Sequence, residues 1–389
     1  MAGLNIGEKT FMMGTIVEER EAFQLCLDLA KKGLGSVSPN PPVGCIVLNK
    51  DRKLIGFGYH TKVGEAHAEV EAFRSVSDKS QLNGSIVYVT LEPCSFEGRT
   101  PSCAKMLIEH PIAEVVFGQR DPHPKVSGEG LKILEKKGVK VRPWGLDEED
   151  VIQKELVHLT RPFFVNHSLE RSFLSLKAAS TLDGQIAMND GESQWITCEK
   201  AREFGHILRS QHDAIAVGNG TILSDNPKLN VRHPKLLDKT LRPIVFDLSG
   251  KLREQIQNLE VYKCRPSEDI LVVSNAKEWV GLSEEQLIVP KCLDSGEVDM
   301  DWLLKYLWSE HNISSVYLEG GSKTIASVLR QGLWDRFYLF TGYKIIGSDQ
   351  GRGWSGHLGL GSLNQAKVLN HIETKHFPES QLNIFCQVK

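Results

Sequence analysis

The sequence predicts an α/β protein of two domains, and three observations carry that prediction. The chain has 389 residues, more than one hydrophobic core usually serves. Segments with apolar residues at helical spacing alternate with short β-branched runs along its whole length. Between residues 145 and 167 the character changes. An acidic helical stretch, LDEEDVIQKELVHL, runs toward Arg161-Pro162, where the domain junction is placed. The division is then residues 17–145, a linker at 146–167, and residues 168–389.

The first half reads α-β-β-α-β-α-β-α-β, an α/β sandwich. Residues 1–16 read as a short mobile extension. Residues 18–33 form an amphipathic helix closed by Gly33. Strands start at Val43 and Leu54. A helix carries AHAEVEAFRSV, and a strand starts at Ser85. A helix starts near Cys103, followed by strand AEVVFG, a helix from Gly128 and strand VKVR. In the second half, strands SFLSLKAAS, DAIAVG, RPIVFDL, DILVVSN and SSVYLEG alternate with helices such as EKAREFGHILRSQ and DMDWLLKYLWSE. The chain closes with FYLFTG, IETKHF and NIFCQVK, and a mixed sheet follows from that order.

Composition excludes several classes. With 41% hydrophobic and 24% charged residues and a net charge of −3, the chain is an ordinary globular sequence without a global positive field for nucleic acid or anionic membrane. No apolar run is long enough to span a bilayer, and the N-terminus lacks an apolar secretory core. Eight cysteines in this length are too sparse for a disulfide framework, which fits a reducing, cytoplasmic compartment. Six of them, Cys26, Cys45, Cys198, Cys264, Cys292 and Cys386, read as buried or neutral thiols. Cys94 and Cys103 stand apart because of their surroundings.

Those surroundings are His67-Ala68-Glu69, Pro93-Cys94 and Cys103. One imidazole and two thiolates are a ligand set for one zinc ion per chain, with a fourth position open. Zinc held this way lowers the pKa of bound water from about 15.7 to roughly 7. Glu69 is then the general base that becomes a general acid. Side chains two apart on a regular helix diverge by about 200°, so His67 and Glu69 share a cavity only if the helix begins there, with His67 in its first turn. Zinc deaminases of nucleobases carry this set. Taken one at a time, these residues are better read as a buried histidine, core cysteines and a surface glutamate; the combination in order between strand and helix reverses that. In the second half, Gly218-Asn219-Gly220-Thr221 and Glu319-Gly320-Gly321-Ser322 each follow a strand. Such turns admit a phosphate to backbone N–H groups, or are simply turns.

The Cys-x8-Cys spacing departs from the commoner Cys-x-x-Cys, and here the chain resembles a family: the bifunctional pyrimidine deaminase/reductases of riboflavin biosynthesis. The matching motifs are Pro39-Asn40-Pro41-Pro42-Val43-Gly44, His67-Ala68-Glu69, and Glu92-Pro93-Cys94 with Gly98-Arg99-Thr100-Pro101-Ser102-Cys103. In the second half they are Lys177-Ala178-Ala179-Ser180-Thr181-Leu182-Asp183-Gly184, Gly191-Glu192-Ser193-Gln194-Trp195-Ile196-Thr197, and Gly218-Asn219-Gly220-Thr221 through Asp225-Asn226-Pro227-Lys228-Leu229 to Arg232. Ser102, His123, Glu129, Thr181 and Asn230 depart from the family's usual residues.

The resemblance implies a cytidine-deaminase-like α/β/α sandwich followed by a dihydrofolate-reductase-like domain. It implies a phosphorylated diaminopyrimidine that loses its 2-amino group, then hydride transfer from NADPH to C1′ of the ribosyl chain. Asn40 and His60 would contact the base, and Arg99 the phosphate. Ser193, Trp195, Arg209, Leu229, Arg232 and Glu319 would line the reductase substrate, the two arginines suiting its phosphate. Lys177 and Asp183 are further polar candidates. Ala179, Thr221, Asp225, Gly321, Ser322, Lys323, Thr324, Ile325, Ala326 and Ser327 would line NADPH. A homo-oligomer is expected, with no nucleic-acid or membrane partner. Two rivals remain: an RNA deaminase with an accessory domain, disfavoured by the acidic balance, and a non-catalytic metabolite binder, disfavoured by an intact Glu69.

Overall fold

The structure is a computed structural model that describes the chain except residues 1–3, 7–8, 97–100, 124–126, 146, 148–149, 189, 235, 237–238, 348–351 and 389. It divides into two compact units, Met1–Leu169 and Glu170–Lys389.

The first unit contains β1 (Leu4–Ile6), β2 (Lys9–Phe11), α1 (Glu19–Lys31), β3 (Gly44–Leu48), β4 (Leu54–Tyr59), α2 (Ala68–Ser75), β5 (Ile86–Leu91), α3 (Cys103–Leu107), β6 (Glu114–Gln119), α4 (Glu129–Lys136), β7 (Lys140–Pro143) and α5 (Val151–Leu169). Among the described residues, five strands form one sheet in the order β4-β3-β5-β6-β7, antiparallel at the β4 edge and parallel from β5 to β7. The alternation of a strand sorts its side chains between two layers. Ile46 and Leu48 of β3 pack with Phe23 and Leu27 of α1 on one face. Cys45 and Val47 pack with Ala72 and Phe73 of α2 on the other. The result is an α/β/α sandwich.

Two expectations are corrected. Residues 4–6 and 9–11 are not a loose extension: they pair antiparallel as β1 and β2, and Leu4 and Phe11 are buried in the core beneath α1. The segment read as a linker is mostly α5, which passes through Pro162 without ending there. A proline inside a helix costs about 3 kcal/mol. Burial of Ile152 and Leu156 against the α1 layer opposes that cost, and tertiary packing overrides the local break.

The second unit contains β8 (Phe173–Thr181), α6 (Glu199–Ser210), β9 (Ala214–Gly218), α7 (Asn219–Asp225), β10 (Arg242–Phe246), α8 (Glu260–Lys263), β11 (Leu271–Val273), β12 (Leu287–Ile288), α9 (Met300–His311), β13 (Ser315–Leu318), α10 (Ser322–Gln331), β14 (Arg336–Gly342), β15 (Leu369–Phe377) and β16 (Ser380–Gln387). Among the described residues its sheet has nine strands in the order β12-β11-β10-β9-β13-β8-β14-β16-β15. The run from β12 to β14 is parallel, and β16 and β15 add antiparallel pairings, so the sheet is mixed. Helices α9 and α10 cover one face, through Leu303, Leu307 and Ile325. On the other, Ile222 of α7 and Val261 of α8 pack over Ile215 and Val217. Ala201 and Leu208 of α6 pack over Tyr317 and Phe340.

Candidate functional sites

The first site is built at a helix start. His67 is the N-cap of α2, with extended φ and ψ of −71° and 162°, one residue ahead of the first turn expected for it. That placement turns its ring toward the same cavity as Glu69. Cys94 lies in the loop after β5, and Cys103 opens α3. The Ser102 hydroxyl fixes this turn: it caps α3 by accepting from Lys105 N–H at 3.3 Å and donates to the Cys94 carbonyl at 2.9 Å. A proline, usual at this position in the family, has no side chain for either bond.

One donor atom from each of His67, Cys94 and Cys103 lies within 4.8 Å of the other two. His67 Nδ1 is 3.2 Å from Cys103 Sγ and 3.6 Å from Cys94 Sγ, and Cys103 N–H donates to Cys94 Sγ at 3.3 Å. An imidazole and two thiols on a shared centre fit a tetrahedral zinc with one open position. Hydrogen bonds from Cys103 and His67 pull the Cys94 thiol well below its ordinary pKa, outweighing burial. The Cys94 bond also raises His67. Glu69 is 4% exposed, and burial followed by the Cys94 charge pushes its carboxyl up to about 7.

His67, Glu69 and Cys94 open into a cavity of about 180 Å³ that Asn40 and His60 also line. Asn40 Nδ2 is 3.1 Å from His60 Nε2, and His60 Nδ1 is 3.1 Å from the Ala66 carbonyl, so the two residues expected to contact the base stand together in the cavity wall. Glu92, Asp121 and Phe163 line the same cavity and were not anticipated. Glu92 stands inside a motif already quoted, beside Pro93-Cys94, and Asp121 lies two residues before the departing His123; that adjacency was an available signal. Phe163 belongs to α5 and had no local signal. Arg99 lies outside the described residues. Of the departures, Glu129 faces solvent in a 2.6 Å pair with Lys132, and His123 packs its ring against His167.

The second site gathers charges over the C-terminal ends of parallel strands. Lys177 on β8 lies 3.7 Å from Glu319, which follows β13. Arg209 of α6 grips Glu319 through Nε and, at 2.8 Å, Nη2, and donates through Nη1 to the Asn230 carbonyl at 3.0 Å. Burial alone would raise Glu319, but Arg209 and Lys177 hold its carboxyl down at about 2. The Arg209 guanidinium is therefore engaged within the protein rather than open to a phosphate. The Arg232 side chain is exposed and has no side-chain partner among the described residues. Trp195 is 56% exposed, Ser193 is exposed on the same loop, and Leu229 is buried with φ of 48°. Asp183 is committed to its own turn, accepting from Thr181 Oγ1 at 2.5 Å and Gly347 N–H at 2.8 Å.

The two glycine turns are neighbours. Strands β9 and β13 are adjacent and parallel, so Gly218 and Gly320 sit at the same sheet edge. A Cβ at Gly218 would come within 2.8 Å of Thr324 Oγ1, so any larger residue there would make the Thr324 side chain turn away. Beside them lies a cavity of about 530 Å³ lined by Lys323, Thr324, Ala326 and Ser327 from the expected cofactor set. Ala179 and Ile325 face packed layers, as neighbours of the α6 core and members of the α10 core. Ser322 opens α10 after its N-cap Gly321, and the Thr221 hydroxyl lies near Gly321. Asp225 ends α7 and accepts from Ser224 at 2.8 Å. Asn219 of the first glycine turn lines the same cavity, as do Phe246, Leu248 and Ser249, which were not anticipated.

Comparison with known proteins agrees with this division. Residues 17–119 match the cytidine and deoxycytidylate deaminase zinc-binding region, and residues 172–377 match the RibD C-terminal domain. The riboflavin biosynthesis protein RibD of Aquifex aeolicus is 33% identical, covering 94% of this chain and 98% of its own. Its counterpart in Escherichia coli is 34% identical, covering 90% and 94%. A crystal structure of the Thermotoga maritima diaminohydroxyphosphoribosylaminopyrimidine deaminase/5-amino-6-(5-phosphoribosylamino)uracil reductase superposes with a TM-score of 0.81 at 32% identity, covering 94% of this chain and 98% of that one. A zinc-deaminase sandwich and a reductase unit, joined in one chain and matched end to end by such relatives, make this chain a member of the RibD family, the bifunctional deaminase/reductases of riboflavin biosynthesis.

Proposed function

We propose that the first unit hydrolyses the 2-amino group of 2,5-diamino-6-(5-phosphoribosylamino)pyrimidin-4(3H)-one and that the second reduces the ribosyl chain of the product to ribityl. The convergence of His67, Cys94 and Cys103 donor atoms within 4.8 Å, beside a buried Glu69, carries this reading. These three residues would hold one zinc ion, which when bound activates water at neutral pH. Glu69 takes the proton of the attacking water and returns protons to the ring nitrogen and the departing amine. Asn40 and His60 orient the base.

In the second unit, NADPH would lie along the glycine turns and the first turns of α10, where it supplies the hydride. Backbone N–H groups at Gly321 and Ser322 face its phosphates, and Thr221, Asp225, Lys323, Thr324, Ala326 and Ser327 flank it. Lys177 and Glu319 set the charge beside the open-chain imine, Ser193, Trp195 and Leu229 enclose it, and Arg232 meets the phosphate. The partner is a small phosphorylated molecule. At net charge −3 no overall field favours nucleic acid, and among the described residues no helix is long and apolar enough to cross a membrane. Association into a homo-oligomer is part of the same reading.

The test is to supply purified protein with zinc, substrate and NADPH and follow ammonia and NADPH oxidation separately. Glu69→Gln should lower ammonia release by about a thousandfold or more, while oxidation of NADPH on deaminated substrate continues. A single substitution that abolishes both in a folded protein contradicts the two-site reading.

A further inference from the structure

One face of α6 carries Arg202, His206 and Arg209, at i, i+4 and i+7 of a 12-residue helix. That spacing stacks them on one stripe. Each holds a different part of the reduction site. The Arg202 guanidinium carbon lies 4.2 Å from the centre of the Trp195 ring, and its Nη1 donates to the Thr197 carbonyl at 2.6 Å. The Trp195 loop is thus held both by its ring and by its backbone. Arg209 holds the Asn230 carbonyl at 3.0 Å and Glu319 at 2.8 Å.

His206 Nδ1 accepts the Arg232 N–H at 3.2 Å, which leaves the ring's proton on Nε2. Together His206 and Arg209 bind the loop backbone at Asn230 and Arg232. The loop needs this restraint. Leu229 sits at φ 48°, a left-handed conformation that a non-glycine residue rarely adopts unaided. Unrestrained, the turn would relax and carry Arg232 with it.

We infer that Arg202 and His206 are positioning residues for the reduction: Arg202 sets the plane of Trp195 and His206 sets the Leu229–Arg232 turn, and the α6 stripe holds both before substrate arrives. This rests on the reading above, in which Trp195 and Arg232 contact the reductase substrate. Arg202 and His206 act through those residues, so the signature is in substrate KM rather than in cofactor binding.

The experiment is steady-state reduction of the deaminated pyrimidine by the full chain, with NADPH binding followed by fluorescence and unfolding by thermal melt. His206→Leu removes the acceptor. It should raise substrate KM roughly tenfold, the worth of one such hydrogen bond, with kcat within about twofold. NADPH affinity should be unchanged. His206→Asn, which returns an acceptor near the Nδ1 position, should recover most of the loss. Arg202→Met should raise KM similarly, and Arg202→Lys should recover part of it. Glu203→Gln, exposed on the same helix, should behave as wild type. An active wild type with unmoved KM in both His206→Leu and Arg202→Met overturns the inference alone. So does a rise in KM accompanied by falls in NADPH affinity and melting temperature that the conservative variants fail to rescue. A wild type inert toward the deaminated pyrimidine overturns the underlying reading, and the inference with it.

Discussion

The deamination site and the reduction site are assembled by opposite means. The first takes its paired donors from a short span: His67 and Cys103 are 36 residues apart, and every ligand stands at a helix start or the loop before one. The second is assembled by sheet order. Arg209 and Glu319 meet across 110 residues because β13 runs parallel between β8 and β9 with α6 packed over it. Metal chemistry demands a few residue types at fixed positions. A charge cluster demands only that opposite signs be brought close, and many pairs could do so. The two sites should therefore fail independently and respond to different perturbations.

Glu319→Gln should produce the largest contrast. It leaves Arg209, a largely buried cation, without its counter-ion. Breaking a buried pair on one side costs about 3–5 kcal/mol. Reduction should be lost and the second unit destabilised in urea, while ammonia release stays within about twofold. An equal loss of both activities would erase the distinction between the sites.

Gly58→Ala should act on the other side. A Cβ there would come within 2.6 Å of the Ala68 carbonyl and closer still to the Ala72 nitrogen. Helix α2 would have to lift from β4, taking His67 and Glu69 with it. Overpacking of this kind costs about 1–3 kcal/mol. Zinc affinity should fall roughly tenfold, as when the support of a ligand is disturbed. Competition with a chromogenic chelator measures it, and NADPH oxidation should be unaffected.

A smaller effect concerns pH. His212 is buried, donates through Nδ1 to the Leu208 carbonyl at 2.8 Å and accepts from Ser175 Oγ at 2.8 Å through Nε2. Burial pushes its pKa down to about 4. An unfolded histidine takes its proton at about 6.5. Between those values the unfolded chain binds more protons, so stability is full above about 6.5 and falls as pH drops toward 4, by at most about 3 kcal/mol. Urea midpoints at pH 7, 6 and 5 should fall less steeply in His212→Gln than in wild type. Parallel slopes would remove His212 from the account.

The same contrast explains what could be read before the structure. The helix and strand order, and the metal set with Glu69, follow from periodicity and from residue types that few other roles require. The pairing of β1 and β2 was missed because strands of three residues are too short to show a periodicity and the burial of Leu4 and Phe11 depends on α1. Helix α5 was read as a linker because Pro162 marks a break, yet its packing within the first unit brings Phe163 to the deaminase cavity. Arg209 was expected to meet a phosphate; only the fold reveals that Glu319 and the Asn230 carbonyl already occupy it. Cys264 and Cys292 are exposed, which no pattern around them announced.

Removing and restoring zinc on one preparation tests the central claim most directly. Chelation should abolish ammonia release from the diaminopyrimidine while oxidation of NADPH on the deaminated pyrimidine proceeds at its original rate, and added zinc should restore the first without altering the second. Ammonia release that survives full removal of zinc, or a reduction rate that rises and falls with it, would contradict the account.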